Sequence, residues 1–189
     1  LVLYVEPEKE GEPWHLVPFA WLPEDGLDRK EETDRVPYLS WRAAGYLHTT
    51  PGRAISKLTV LKKLVELSSF FDLQGVAYDR WRIEDLKALA SDNGIELPEM
   101  IPFGQGYKDM SPAIEAFETA LLNGDVVHPA SPVFTWCAAN AVTVSDDAEN
   151  RKLSKEKATG RIDLIVAAVM AVGMVNQTAP EEKSFWETA

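Results

Sequence analysis

The sequence has a single cysteine, Cys137, among its 189 residues, so it cannot form an internal disulfide. This excludes the small secreted domains that depend on disulfide bridges and indicates a reducing compartment. Long apolar runs are also missing, because the longest, residues 164–175, is shorter than the ~18–20 residues that a membrane-spanning helix needs. No basic leader with a cleavage site precedes the first elements. We therefore predict no signal peptide and no membrane partner.

Basic residues are scarce: 19 Lys and Arg stand against 30 Asp and Glu, which gives a net charge of −11. This balance excludes a protein that coats nucleic acid by bulk positive charge. It remains compatible with an enzyme that meets DNA through metal ions and a local basic patch. The hydrophobic fraction of 46% is enough for a folded core, and the length predicts one domain or slightly more.

Several well-known catalytic motifs are absent as well. The sequence contains no GxxxxGK[ST] phosphate-binding loop, no GxSxG nucleophile motif and no HExxH zinc motif. Its three histidines, His15, His48 and His128, have no metal-ligand spacing. The chain also starts without Met and directly in an apolar run, Leu1–Val5, so we expect a further segment upstream of it.

The pattern of apolar residues predicts an α/β protein. Two strands, near residues 1–5 and 14–21, are expected to form a hairpin. Helices are then predicted over residues 54–71, 82–93, 111–122, 131–139 and 162–175, with short strands over residues 73–78, 99–103, 126–128 and 142–144. Such a series is typical of a sheet covered by helices.

Two polar segments lie outside this pattern. Residues 23–53 are rich in charge and contain two short helical stretches, near residues 28–34 and 38–45. A connection of this length is usually functional or a lid. Residues 146–159 are polar and have the composition of a mobile loop.

Two carboxylates have suggestive positions. Asp79 ends an apolar strand, and ligand sites in open α/β sheets gather at the carboxyl ends of strands. Asp163 begins a helix that is apolar on every side. A helix-capping role is the alternative interpretation of each residue. If the two acids meet, a cation must bridge them or one must be protonated, and carboxylate oxygens suit Mg²⁺ or Mn²⁺.

Basic residues concentrate before Asp163, at Arg151, Lys152, Lys155, Lys157 and Arg161. Arg80 and Arg82 add positive charge beside Asp79. This cluster is compatible with a solvated loop and with a flap that contacts DNA phosphates.

A series of short motifs runs through the chain in a recognisable order. They are Phe19–Pro23, Val36–Tyr38 with Trp41 and Gly45–Leu47, Thr50–Gly52, Ala77–Trp81, Phe103–Gly106 with Met110 and Ser111, His128 through Pro132 and Trp136 to Asn140, and Lys155 through Gly160 to Asp163. In this order, over residues 1–176, the chain resembles the nuclease domain of the large subunit of tailed-phage terminases, the DNA-packaging motor.

The resemblance implies a ribonuclease-H-like α/β fold, a mixed β-sheet flanked by helices. The first strand of that fold, with the first catalytic acid, is expected upstream of Leu1. Residues 1–176 would form the nuclease domain and residues 177–189 a C-terminal tail that carries Phe185 and Trp186. The ATPase domain of such proteins is not expected within these residues.

The resemblance also implies site residues. Asp79 and Asp163 are expected to be catalytic and to bind two Mg²⁺ or Mn²⁺ ions, and Asn140 is expected to support the site. The predicted DNA contacts are Arg80, Lys152, Lys155, Lys157 and Arg161. Asp146 or Asp147 is a possible substitute ligand, although nothing in the spacing demands it.

The implied function is a metal-dependent endonuclease that cuts concatemeric double-stranded DNA during packaging. Its partners would be DNA, the terminase small subunit and the portal, in a multimeric motor in the cytoplasm of the bacterial host. Two alternatives remain open. One is a ribonuclease-H-like module that binds DNA or the portal without cutting. The other is a different ribonuclease-H-like nuclease, of the resolvase or transposase type.

Overall fold

The structure is a computed structural model that describes residues 1–80 and 83–178. Its N-terminal sheet has three strands: β1 (Val2–Val5), β2 (Trp14–Pro18) and β7 (Val126–Val127). β1 and β2 are antiparallel, and β7 lies parallel to β2 on its other edge. Tyr4 stacks on Trp14 with ring centroids 4.6 Å apart, a cross-strand pair that favours this register. The predicted hairpin is confirmed, although β2 ends at Pro18.

A second sheet was not predicted. β3 (Trp21–Pro23) pairs in parallel with β4 (His48–Thr50). The connection between them holds the two predicted short helices, α1 (Leu27–Asp34) and α2 (Tyr38–Ala43). Strands of three residues give almost no periodic signal, so the sequence pattern indicated one charged segment here.

The middle of the chain alternates helix and strand as predicted. Its elements are α3 (Lys57–Phe70), β5 (Val76–Tyr78), α4 (Ile83–Asp92) and β6 (Met100–Pro102). β5 and β6 are parallel, with Ala77 opposite Ile101. Leu61, Leu64 and Leu67 form the buried face of α3, at the spacing that predicted the helix.

The core centres on two long helices, α5 (Tyr107–Asn123) and α7 (Asp163–Thr178). Their backbones approach closely at Gly173, where an added Cβ would clash with the Cβ of Ala113. The predicted start of α5 at Ser111 is wrong, because the helix begins four residues earlier and Pro112 lies inside it. The Ser111 hydroxyl instead accepts a hydrogen bond from the backbone N–H of Arg151 at 3.0 Å.

The remaining elements are α6 (Pro132–Asn140) and an antiparallel hairpin, β8 (Thr143–Ser145) with β9 (Arg151–Leu153). The N–H of Phe134 donates to the Ser131 side chain at 3.3 Å, which confirms the predicted cap of α6. β9 lies inside the segment predicted to be a mobile loop. That prediction is wrong for β9, which pairs with β8 and packs on α5.

The α/β class is confirmed, since seven helices pack with short strands in the described part of the chain. Those strands form four small sheets, one of three strands and three of two. No helix within residues 1–80 and 83–178 is long and apolar enough to cross a membrane.

Candidate functional site

A groove of about 920 Å³ is lined by β1, β5 and α7. Residues 1–6 and 72–79 line it, and α7 contributes apolar side chains that include Val166, Met170 and Met174. Among the described strands, β1 pairs only with β2, and β5 only with β6. Each of these strands therefore has one backbone edge without a strand partner in this part of the protein.

The two predicted acids both line this groove. Asp79 directly follows the last residue of β5, and Asp163 is the first residue of α7. The helix dipole favours negative charge at the Asp163 position. The end of β5 and the start of α7 thus bring two acids to one cavity. The sequence alone did not decide whether these two acids meet.

Lys155 also lines the groove, and its ammonium lies 3.0 Å from a carboxylate oxygen of Asp163. Both side chains are more than half exposed, at 55% and 61%. Water therefore screens the pair, which contributes only about 0–1 kcal/mol to stability. The pair matters for the chemistry of the site, because the Lys155 ammonium already faces the acid that is expected to bind metal.

The β8–β9 hairpin is fixed to α5 by its basic residues. The Arg151 guanidinium forms two hydrogen bonds with the Glu118 carboxylate, at 3.0 and 2.7 Å, and these raise the pKa of Arg151. The Lys152 ammonium lies 4.7 Å from the centre of the Tyr107 ring, a cation–π contact. Both side chains have partners within the protein, which no local sequence signal revealed.

The other predicted residues lie in different surroundings. Arg161 lies beside the Tyr38 hydroxyl. Arg80 and Lys157 are exposed. Arg82 and Trp81 lie outside the described residues, as do Phe185 and Trp186 of the predicted tail.

The groove residues fit a hard divalent cation in part. The carboxylates of Asp79 and Asp163 and the amide of Gln105 line it, and oxygen donors suit Mg²⁺ or Mn²⁺. However, no group of three or more His, Cys, Asp or Glu residues within the described ranges is placed to hold a metal. Asp146 is not a groove residue; its carboxylate accepts the N–H groups of Ala148 and Asn150 in the hairpin turn.

Comparison with known proteins decides the family. The sequence profile described as "Terminase large subunit, endonuclease domain" matches residues 5–179. The chain belongs to this terminase family. The resemblance that the sequence motifs indicated is thereby confirmed.

Similar proteins match over most of the chain. The "Terminase, large subunit" of Enterobacteria phage HK97 is 44% identical over 180 residues, which are 95% of this chain and 36% of that protein. The crystal structure of the HK97 bacteriophage large terminase matches with a TM-score of 0.84 and 45% identity, over 92% of this chain and 36% of that one. "Protein YmfN" of Escherichia coli (strain K12) is 25% identical over 166 residues, 85% of this chain and 36% of that protein. The chain thus spans 36% of the length of these terminase relatives.

Proposed function

We propose that this terminase domain is a divalent-metal-dependent endonuclease that cuts concatemeric double-stranded DNA during phage genome packaging. One observation carries the proposal: a chain of the terminase endonuclease family presents Asp79 and Asp163 to the same groove. Carboxylates at one cavity are the side chains that phosphodiester hydrolysis with metal ions needs.

Asp79 and Asp163 would hold the metal, Mg²⁺ or Mn²⁺, with two ions expected. When bound, a pair of such ions activates a water molecule and stabilises the leaving oxygen of the phosphodiester. The residues of this chain orient the reaction. Asp163 is the first residue of a buried helix, and Asp79 directly follows a strand, so each acid adjoins regular secondary structure.

For DNA binding we propose the basic residues near the groove. Lys155 lines it, and Arg80 and Lys157 are exposed and able to reach phosphates. Lys152 and Arg161 stay candidates, although each has a neighbour within the protein: Tyr107 for Lys152 and Tyr38 for Arg161. Phosphate contacts of this kind position DNA without reading its sequence.

We further propose that the fold is ribonuclease-H-like and that a strand from outside these residues lies between β1 and β5. The resemblance implies that this strand precedes Leu1 and carries another acid of the metal site. Two features support the proposal. β1 and β5, which both line the groove, each have one edge without a strand partner in the described part of the chain, and no group of three or more His, Cys, Asp or Glu residues there is placed to hold a metal ion.

The wider assembly follows from the terminase family alone. We propose that the whole protein acts as a multimer on double-stranded DNA, with the small subunit and the portal as partners, in the cytoplasm of the bacterial host. The nuclease proposal is tested separately from these partners.

The test is a cleavage assay on linear and concatemeric duplex DNA in Mg²⁺ and in Mn²⁺, with protein that includes the upstream region of its relatives. Asp79→Asn and Asp163→Asn should each lower the cleavage rate about 100-fold or more, since each removes a charged oxygen ligand. Asp92→Asn, which changes an exposed acid at the end of α4 that does not line the groove, is the matched control and should cut normally. Normal cleavage by Asp163→Asn would remove that residue from the site.

One observation favours a second candidate, a module that binds DNA without cutting it. Five acids line the groove, Glu6, Asp72, Asp79, Glu99 and Asp163, but no group of three or more His, Cys, Asp or Glu residues within the described ranges is placed to hold a metal ion. Protein that binds duplex DNA but leaves it intact in both metals, with the upstream region present, would establish this candidate and reject the nuclease.

A further inference from the structure

The loop that leads into α7, residues 159–162, is hydrogen-bonded to the end of α6. The Thr159 hydroxyl donates to the side-chain oxygen of Asn140 at 2.8 Å. Asn140 is the last residue of α6, and Asp163 follows Thr159 by four positions. The hydrogen bond therefore ties the start of α7, where Asp163 lies, to a separate helix.

Gly160 lies directly against the same helix end. A Cβ added at Gly160 would be 2.6 Å from the Asn140 amide nitrogen and 3.0 Å from Cζ2 of Trp136. The first distance is closer than real Cβ atoms approach, so only glycine fits without movement. The Asn140 nitrogen is buried and has no hydrogen-bond partner in the described part of the chain. Close packing thus holds this amide on one side, and the Thr159 hydrogen bond holds it on the other.

Trp136 is itself braced by aromatic rings from the α1–α2 segment. Its ring centroid lies 6.2 Å from that of Tyr38, in an edge-on arrangement at 90°, and 5.8 Å from that of Trp41. Tyr38 is only 2% exposed, and its hydroxyl donates to the Asp34 carboxylate at 2.8 Å. Trp136, against which Gly160 packs, is therefore itself packed against two aromatic rings of α2.

Arg161 extends the same arrangement on the other side of Gly160. Its guanidinium lies beside the Tyr38 hydroxyl, where burial and the Asp34 carboxylate raise the pKa of Tyr38. The loop before α7 thus meets α6 through Thr159 and Gly160, and the α1–α2 segment through Arg161.

We infer that the close packing of Gly160 against Trp136 and Asn140 sets the position of Asp163. Asn140 is then a positioning residue, which acts on the site through Thr159 and Gly160 without touching DNA. The charged segment between β3 and β4 contributes by bracing Trp136. The catalytic consequence rests on the proposed nuclease function, whereas the positioning itself does not.

The first experiment compares Gly160→Ala with Gly106→Ala in the full chain. Gly106 is also outside the left-handed region, with φ −83°, and a Cβ there meets no atom within 4 Å. We expect Gly160→Ala to speed amide hydrogen exchange in residues 161–166, and Gly106→Ala to leave it unchanged. Unchanged exchange in Gly160→Ala overturns the inference, whether or not the protein cuts DNA.

The second experiment tests the hydrogen bond with a matched pair. Thr159→Val removes the hydroxyl at nearly constant shape, and Thr159→Ser keeps it. The valine variant should show faster exchange in residues 161–166, and the serine variant should restore the native rate. Equal rates in the two variants would show that the bond to Asn140 does not hold the loop. This pair also decides the question if Gly160→Ala fails to fold.

Cleavage separates positioning from DNA binding. Gly160→Ala should lower kcat by about 100-fold, since a displacement near 1 Å costs that much, and should change the Kd for DNA far less. A raised Kd with native kcat would contradict the positioning role. Wild-type protein that does not cut would reject the nuclease proposal. The hydrogen-exchange result would then still test whether the packing of Gly160 against Trp136 and Asn140 positions Asp163.

Discussion

The ammonium of Lys155 lies 3.0 Å from a carboxylate oxygen of Asp163, at the edge of the groove that Asp79 also lines. A carboxylate oxygen paired with an ammonium is less available to a divalent cation. A DNA phosphate offers the same ammonium a competing partner. The contact therefore links the expected metal ligand and the expected DNA contact through one side chain.

We predict that Lys155→Gln binds Mn²⁺ more tightly and duplex DNA more weakly than the wild type. Removing the ammonium frees the Asp163 carboxylate for metal and deletes one phosphate contact, which lowers the salt slope of DNA binding by about 1. Mn²⁺ titration followed by electron paramagnetic resonance and DNA binding at several salt concentrations measure the two effects. Lys62→Gln, an exposed α3 lysine away from the groove, should change neither.

We predict that Gly173→Ala destabilises the domain by about 1–3 kcal/mol, the usual cost of inserting a methyl group into a packed core. The added Cβ would clash with the Cβ of Ala113 and lie 3.0 Å from Cζ of Phe103. The loss should exceed the ~1 kcal/mol that alanine gains over glycine in a helix. Urea unfolding at constant m-value measures it. Equal or greater stability than wild type would show that α5 and α7 separate without cost.

We predict that Cys137 resists thiol reagents in the native state. Its side chain is 3% exposed, and burial raises the pKa of its thiol to about 11. At pH 8 only on the order of one thiol in a thousand would then be ionised, and the thiolate is the reactive form. Labelling by a disulfide reagent at pH 8 should be slow in the native chain and fast in guanidinium chloride. Rapid native labelling would show that α6 opens readily.

The strongest sequence predictions came from patterns that depend only on neighbouring residues. The leucines of α3 recur at helical spacing, and Ser131 with Pro132 marks the start of α6, so both helices were predicted correctly. The same rule failed at Ser111 and Pro112. There a hydroxyl that resembles a cap accepts a bond from Arg151, 40 positions away. The residues before Pro112 do not by themselves indicate where α5 begins, and the contact with the distant Arg151 accounts for the role of Ser111.

The same contrast between local patterns and distant contacts applies to the candidate site. The positions of Asp79 and Asp163, at a strand end and a helix start, are local features, and the structure brings both acids to one groove. The partners of the basic residues are not local, since Arg151 reaches Glu118 across 33 positions. Lys152 likewise depends on Tyr107, from a different element. Charge alone therefore did not distinguish side chains held within the protein from those open to DNA.

The bordering edges of β1 and β5 also bear on how this chain behaves in solution. A strand edge with free N–H and C=O groups is a template for pairing with any extended peptide, including one from a neighbouring molecule. Unless another strand fills the groove, concentrated samples should associate edge to edge. Solubility should improve when a peptide or a longer polypeptide covers those edges. The tendency of the protein to self-associate therefore reports whether the edges of β1 and β5 are paired with another strand.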